Sequence, residues 1–273
     1  MNRYSAFLPI MFCSFFLLMS CSTLKLESTW KDRDITMDGI GSDWLGTKYY
    51  FEDLAISVGL INDAQYLYVS VMTENPMVQA QIMRQGLTVW LDPKGGKDKT
   101  FGIKFPLGRQ GKPQEGEGMT PEGMMDEISR EEMMQKLQES MNELEVLGPN
   151  ERVLEKIDTE NAKGIDVRMR NAGGSFVYEL KVPLTSSDES PYAVGVKAGD
   201  TIGVGLLSPK LEMARPRGMR GMGGMPGGGG MPPGGGGMRG MGGFGMRPVV
   251  PQELKIWAKV QLASGSTPAL SFF

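Results

Sequence analysis

The feature that most constrains this chain is a two-residue alternation of apolar side chains, broken at regular intervals by turn residues. Ile56, Val58 and Leu60 alternate with small or polar neighbours, and after Asn62-Asp63 the pattern resumes at Leu67, Val69 and Val71. Leu87, Val89 and Leu91 follow, then a turn at Asp92-Pro93-Lys94-Gly95-Gly96, then Phe101, Ile103 and Phe105. Further on come Ile165, Val167 and Met169, then Phe176, Tyr178, Leu180 and Val182, then Ile202, Val204 and Leu206, and last Ile256, Ala258, Val260 and Leu262. Side chains two apart share a face of a strand, so each run can bury one face and leave the other to water. About nine such strands with turns between them predict a mainly β chain, an antiparallel β-sandwich. We read residues 30–273 as this one domain.

Two insertions interrupt the alternation. The first covers about 108–150. Thr120-Pro121 has the form of a helix start, and Met134, Leu137, Met141 and Leu144 fall on one helical face, with Gly148 as its stop. A helical insertion is expected there. The second, 213–248, holds 16 glycines, 8 methionines, 5 prolines and 5 arginines in 36 residues, with no acidic residue. Such a segment cannot bury enough surface to offset its conformational entropy, and the expectation is a disordered Gly/Met-rich loop.

The first 21 residues form a targeting segment. Arg3 precedes an apolar run from Phe7 to Met19, too short to span a bilayer as a helix, which takes about 20 apolar residues. Leu18-Met19-Ser20-Cys21 resembles a bacterial lipobox. The resemblance implies a signal peptide over 1–20, acylation of Cys21 and cleavage before it, with 21–29 as a tether. Ser22 after the cysteine resembles an outer-membrane sorting signal. The expected location is the bacterial cell envelope, with the chain held to the membrane by lipid.

The ordered motifs of the β region carry a further resemblance. Ile35-Thr36-Met37-Asp38-Gly39 precedes Asp43-Trp44. Gly59-Leu60-Ile61-Asn62-Asp63 leads into Tyr66-Leu67-Tyr68-Val69. Gly86-Leu87-Thr88-Val89-Trp90-Leu91-Asp92 is followed by Phe101-Gly102-Ile103-Lys104-Phe105-Pro106, and later by Tyr178-Glu179-Leu180-Lys181-Val182-Pro183-Leu184. The set is similar to the carbohydrate-binding module family 9-like domains, within the DOMON-like sandwich group, over about 30–107 and 164–264. The resemblance implies an immunoglobulin-like or jelly-roll-like sandwich that binds a ligand and does no chemistry. Sugar-binding members grip a sugar between tryptophans, which makes Trp44, Trp90 and Trp257 the candidate platforms here; Trp30 is the fourth tryptophan.

Composition closes off most chemistry. Histidine is absent, and the two cysteines, Cys13 and Cys21, both lie in the targeting segment. That excludes Ser-His-Asp and Cys-His catalysis, HExxH zinc and His-ligated haem, and leaves no paired carboxylates that nominate a glycosidase. The chain is therefore read as no enzyme and as needing no cofactor. A structural calcium at Asp92, Asp98 and the intervening turn is one metal candidate. A soft-metal site at Met219, Met222 and Met225 is the other, since thioethers suit Cu(I). A formal net charge of −3 argues against nucleic acid. The leading expectation is a non-catalytic carbohydrate-binding lipoprotein. The alternative is an envelope lipoprotein whose Met/Gly-rich loop contacts a protein, a membrane or a soft metal.

The anchor reading has a direct check. Cys21→Ser should leave an uncleaved or soluble precursor that no longer enters the detergent phase on phase separation; unchanged partitioning would refute it.

Overall fold

The computed structural model describes residues 23–108, 141–211 and 253–265. Among the described residues thirteen strands form two facing sheets, joined by the helix α1, and residues 141–142 are also helical. The strands are β1 (Leu24–Glu27), β2 (Thr29–Trp30), β3 (Lys48–Phe51), β4 (Ile56–Asn62) and β5 (Tyr66–Thr73). After the helix α1 (Pro76–Gln85) come β6 (Thr88–Asp92), β7 (Phe101–Lys104), β8 (Glu143–Leu147) and β9 (Val153–Asp158). The set is completed by β10 (Asp166–Ala172), β11 (Ser175–Pro183), β12 (Thr201–Ser208) and β13 (Leu254–Gln261). One sheet runs β1-β13-β12-β6-β7-β8-β9. The other runs β10-β11-β5-β4-β2, with β3 also pairing β4.

The chain is a β-sandwich, as the alternation requires. Val58, Leu60, Val69, Val71, Tyr178 and Leu180 of one sheet meet Val89, Leu91, Ile103, Val204, Leu206 and Val260 of the other in one buried cluster. Burying each such side chain is worth about 1.5–3 kcal/mol, so this layer dominates stability. Two pairings depart from the antiparallel pattern: β1 runs parallel to β13, and β2 parallel to β4.

Three expectations change. Residues 24–27 and 29–30 are strands, so the tether expected over 21–29 is mostly part of the sheets. Leu24 and Leu26 do alternate with Lys25 and Glu27, but four residues are too short a run to stand out. Leu144 lies in β8 rather than on a helix. Leu144 and Val146 are buried while Glu143 and Glu145 alternate with them, and the strand is held by β7 on one side and β9 on the other. Gly148 leads into the β8–β9 turn, its N–H donating to the Arg152 carbonyl at 2.8 Å. The rest of the expected helical insertion, 109–140, and the Gly/Met-rich segment lie outside the described residues.

The helix α1 had not been expected, although its ends are marked. Asn75 caps it by accepting from the Met77 N–H at 2.9 Å, Pro76 opens it and Gly86 ends it. Gln81 pins the helix to the far sheet, its side-chain amide donating to the carbonyls of Ser208 (3.0 Å) and Pro209 (2.9 Å).

A second buried polar group joins the chain's early and late strands. Asn62 donates to the Ala263 carbonyl and accepts from the Ala263 N–H, at 3.0 and 2.9 Å, and Ser28 donates to the same Asn62 oxygen. Ser28 is where the chain passes from the first sheet to the second. The latch therefore fixes that crossing.

Among the described residues the buried hydroxyls of Ser70, Tyr178 and Ser208 have no hydrogen-bond partner, and Tyr178 is the one inside the core between the sheets. An unmatched buried hydroxyl costs about 1–3 kcal/mol. Tyr178→Phe should accordingly hold or raise the thermal midpoint; a clear fall would show that the hydroxyl is satisfied in solution.

Candidate functional site

All four tryptophans rest on glycines. A Cβ placed on Gly59 would meet the Trp44 ring at 2.5 Å, and one on Gly102 the Trp90 ring at 2.7 Å. The same holds for Gly205 beneath Trp257 (2.7 Å) and Gly265 beneath Trp30 (2.6 Å). Glycine inside a strand marks such close approach. The pattern of Gly59, Gly102 and Gly205 within apolar runs was the sequence signal for it.

Trp44 is a structural residue. It sits in a 3-10 turn, Gly41–Trp44, and is fully buried against the outer face of the second sheet. Its indole N–H donates to Glu179 Oε1 at 2.8 Å. The other oxygen of that carboxylate accepts from the N–H groups of Gly39 (2.7 Å) and Asp38 (3.0 Å). Glu179 lies on β11 opposite Ser70 of β5, which in turn faces Gly59 of β4. The indole thus crosses two strands to reach it. With both faces covered and the N–H engaged, Trp44 offers no platform, and that expectation is corrected. Glu179 itself was not anticipated. An outward glutamate on a strand reads as solvated, and only the 31–47 connection lying over it makes it buried.

Burial pushes the Glu179 carboxyl above the ordinary glutamate value, while the hydrogen bonds from Trp44 and Gly39 pull it down. The net direction is upward.

Trp90 and Trp257 belong to one lateral row on the outer face of the first sheet. In register, Gly102 of β7 faces Trp90 of β6, Trp90 faces Gly205 of β12, and Gly205 faces Trp257 of β13. Three atoms of the Trp257 six-membered ring stand 2.7–2.8 Å from the Cβ position of Gly205. Near-equal distances to three adjacent ring atoms mean that the face of the ring, not its edge, lies on the strand. The outcome differs along the row. Trp90 is only 2% exposed, with the Lys99 ammonium 5.7 Å from its ring centre. Trp257 is partly exposed, flanked along β13 by the exposed Lys255 and Lys259. Trp90 is a supporting residue, and Trp257 is the one of the three candidate indoles with a surface for a ligand.

A polar recess of about 400 Å³ lies at the edge of the second sheet, between Tyr66, Lys181, Arg168, Asp166 and the 159–165 connection. Its charges are largely engaged with one another. Lys181 Nζ sits 4.1 Å from the Tyr66 ring centre, covering that face, and Arg168 stands 3.5 Å from Asp166. Lys163 pairs with Glu155 at 2.7 Å.

The calcium candidate resolves into a self-closing turn. Asp92 is fully buried; its two oxygens accept from the N–H groups of Lys94 and Asp98, each at 3.0 Å. Asp98 points its side chain to solvent. Among the described residues no group of three or more acidic, His or Cys side chains is placed to hold a metal. Cys21, Met219, Met222 and Met225 lie outside the described residues.

No family model and no curated protein matches the chain. Among solved structures it is similar to a carbohydrate-binding module family 9 from Caldicellulosiruptor kristjanssonii in complex with glucose, at 9% identity over 68% of this chain and 78% of that one, with a TM-score of 0.35. The cellotriose complex of a carbohydrate-binding module family 9 from the same organism gives 10% identity, coverages of 68% and 76%, and a TM-score of 0.34.

The Trp44–Glu179 pair can be measured. Trp44→Phe and Glu179→Gln should each cost about 1–3 kcal/mol, and the double variant should cost less than their sum. Strict additivity would mean that the bond contributes nothing. Glu179 also leaves a pH signature. A folded-state value above 4.5 favours the protonated fold, so its contribution is full below that pH and is lost as pH rises through the raised value. The parent's stability relative to Glu179→Gln should therefore decline as pH rises from 4.5.

Proposed function

We propose that this chain is a lipid-anchored, exported, non-catalytic binding module for carbohydrate, and that Trp257 is its contact platform. The observation that carries the reading is the Trp257 ring, laid face-down on Gly205 and partly exposed on the outer face of the first sheet. A sugar ring presents an apolar face of C–H groups to such an indole, and its hydroxyls meet the flanking lysines. Among the described residues the Trp257 indole N–H has no partner, so it is available as a donor. The rigid backing matters as well. A ring already fixed by Gly205 loses little side-chain entropy when a ligand arrives.

The two buried carboxylates of the described residues, Asp92 and Glu179, both have structural partners, in keeping with a non-catalytic reading. A histidine-free chain would rely on acidic side chains for proton transfer. Glu179 is sealed beneath Trp44, and Asp92 is committed to its own turn. Anchoring at Cys21 rests on the lipobox-like sequence.

The test is a panel of immobilised glycans, glucose and cello-oligosaccharides included, probed with the parent and two variants. The parent should bind at least one glycan saturably. Trp257→Ala should weaken that binding tenfold or more with the melting temperature little changed, and Trp257→Phe should retain part of it. Lys181→Ala, in the polar recess, should leave it unchanged. Absence of binding to every glycan, or equal binding by Trp257→Ala, would refute the proposal.

A further inference from the structure

We infer that the end of the sandwich closed by α1 is the surface that lies on the bilayer, so that the turns at the opposite end face away from it. This rests on the reading of Cys21 as the anchor.

The argument is one of strand direction. β1 runs from Leu24 to Glu27, parallel to β13, with Leu24 beside Ala258 and Glu27 beside Gln261. The chain therefore arrives at β1 from the side on which β13 begins. Cys21 and Leu24 are three residue steps apart, a reach of about 10 Å at most. That is the length of β13 between Ala258 and Lys255, so an acyl chain on Cys21 holds the Leu254 end of the sheet at the membrane. The opposite end, at Gln261, is about 20 Å further along the strand.

Pairing carries this polarity through both sheets. Ser208 faces Leu254 and Leu207 faces Thr88, so β12 ends and β6 begins at the anchored end. Lys104 faces Thr88, which places the end of β7 there. In the second sheet, β2 runs parallel to β4 and continues upward from β1, so β4 starts, and β5 finishes at Thr73, at the anchored end. α1 links the end of β5 to the start of β6 and so crosses that end of the sandwich. α1 itself carries no carboxylate and its last turn exposes Arg84, while Glu74 and the Glu52-Asp53 pair are exposed at the same end, so the orientation rests on the reach of the anchor rather than on charge. At the other end lie the 92–98 turn, Asp63 and the 184–200 connection. The sequence between β7 and β8 and that between β12 and β13 both begin and finish at the anchored end.

Cysteine chemistry makes the test clean. Loss of Cys13 with the signal peptide and acylation of Cys21 leave no free thiol, so a single introduced cysteine labels alone. Glu74→Cys and Arg84→Cys place a label at the α1 end; Asp98→Cys and Asp188→Cys place one opposite. All four positions are exposed. Each full-length acylated variant, labelled with an environment-sensitive fluorophore, would be reconstituted in phosphatidylcholine vesicles containing headgroup spin-labelled lipid. Labels at 74 and 84 should be quenched at least threefold more than labels at 98 and 188. Equal or reversed quenching in a chain whose Cys21 carries acyl mass would overturn the orientation alone. A Cys21 without acyl mass would overturn the anchor and the orientation with it.

Discussion

A strand position that lies beneath an indole ring must be glycine if the sheet is to stay paired, because a β-carbon there would enter the ring. This chain meets that condition at Gly59, Gly102 and Gly205, one or more in each sheet. Each of these glycines forgoes its own packing and raises the entropic cost of ordering the strand. The indoles above them offset that loss with some of the largest apolar surfaces in the molecule. They also tie neighbouring strands together: Trp90 spans β6 and β7, and Trp257 spans β12 and β13. The outer faces are thus built of flat, strand-hugging rings.

The second sheet uses the same device to hold its longest connection. Trp44 lies on Gly59, and its N–H ends on Glu179, whose other oxygen takes two backbone N–H groups from residues 38 and 39. One buried carboxylate on β11 therefore fixes a connection that starts after β2 and ends before β3. Its burial is tolerable because every hydrogen bond it accepts is a good one. The Asp38-Gly39 and Asp43-Trp44 pairs that mark this region in the sequence are the two ends of that clasp.

The sequence made the central strands legible because their alternation is long and one face of each is buried in the common core. β4, β5, β6, β11, β12 and β13 all keep the inward residues that their period assigns. Of the strands that escaped notice, β1, β2, β3 and β9 are short or lie at sheet edges, where burial is partial and alternation weak, whereas β8 lies inside its sheet and was hidden by a competing helical spacing. Leu144 shows the ambiguity well, since one apolar residue fits a helix face and a strand face equally. For the site, alternation placed Trp90 and Trp257 correctly on the outer face. It could not say which would be covered, because cover comes from residues distant in sequence. Glu179 was invisible for the same reason: its neighbours on β11 say nothing of the loop above it.

The latch formed by Ser28, Asn62 and Ala263, together with the pairing of β1 and β13, has a consequence for the order of events during synthesis. Ala263 lies more than 200 residues beyond both Ser28 and Asn62, and β1 pairs only with β13, so β1 cannot take its place until β13 has been made. Closure of the first sheet's edge and fixation of the crossing into the second are both deferred to residues 258–263. Contacts between such distant segments are slow to form, because nearly the whole chain must be brought together before they are gained. β2 can pair with β4 early, but β1 waits for β13, and the edge of the first sheet is sealed last among the described strands.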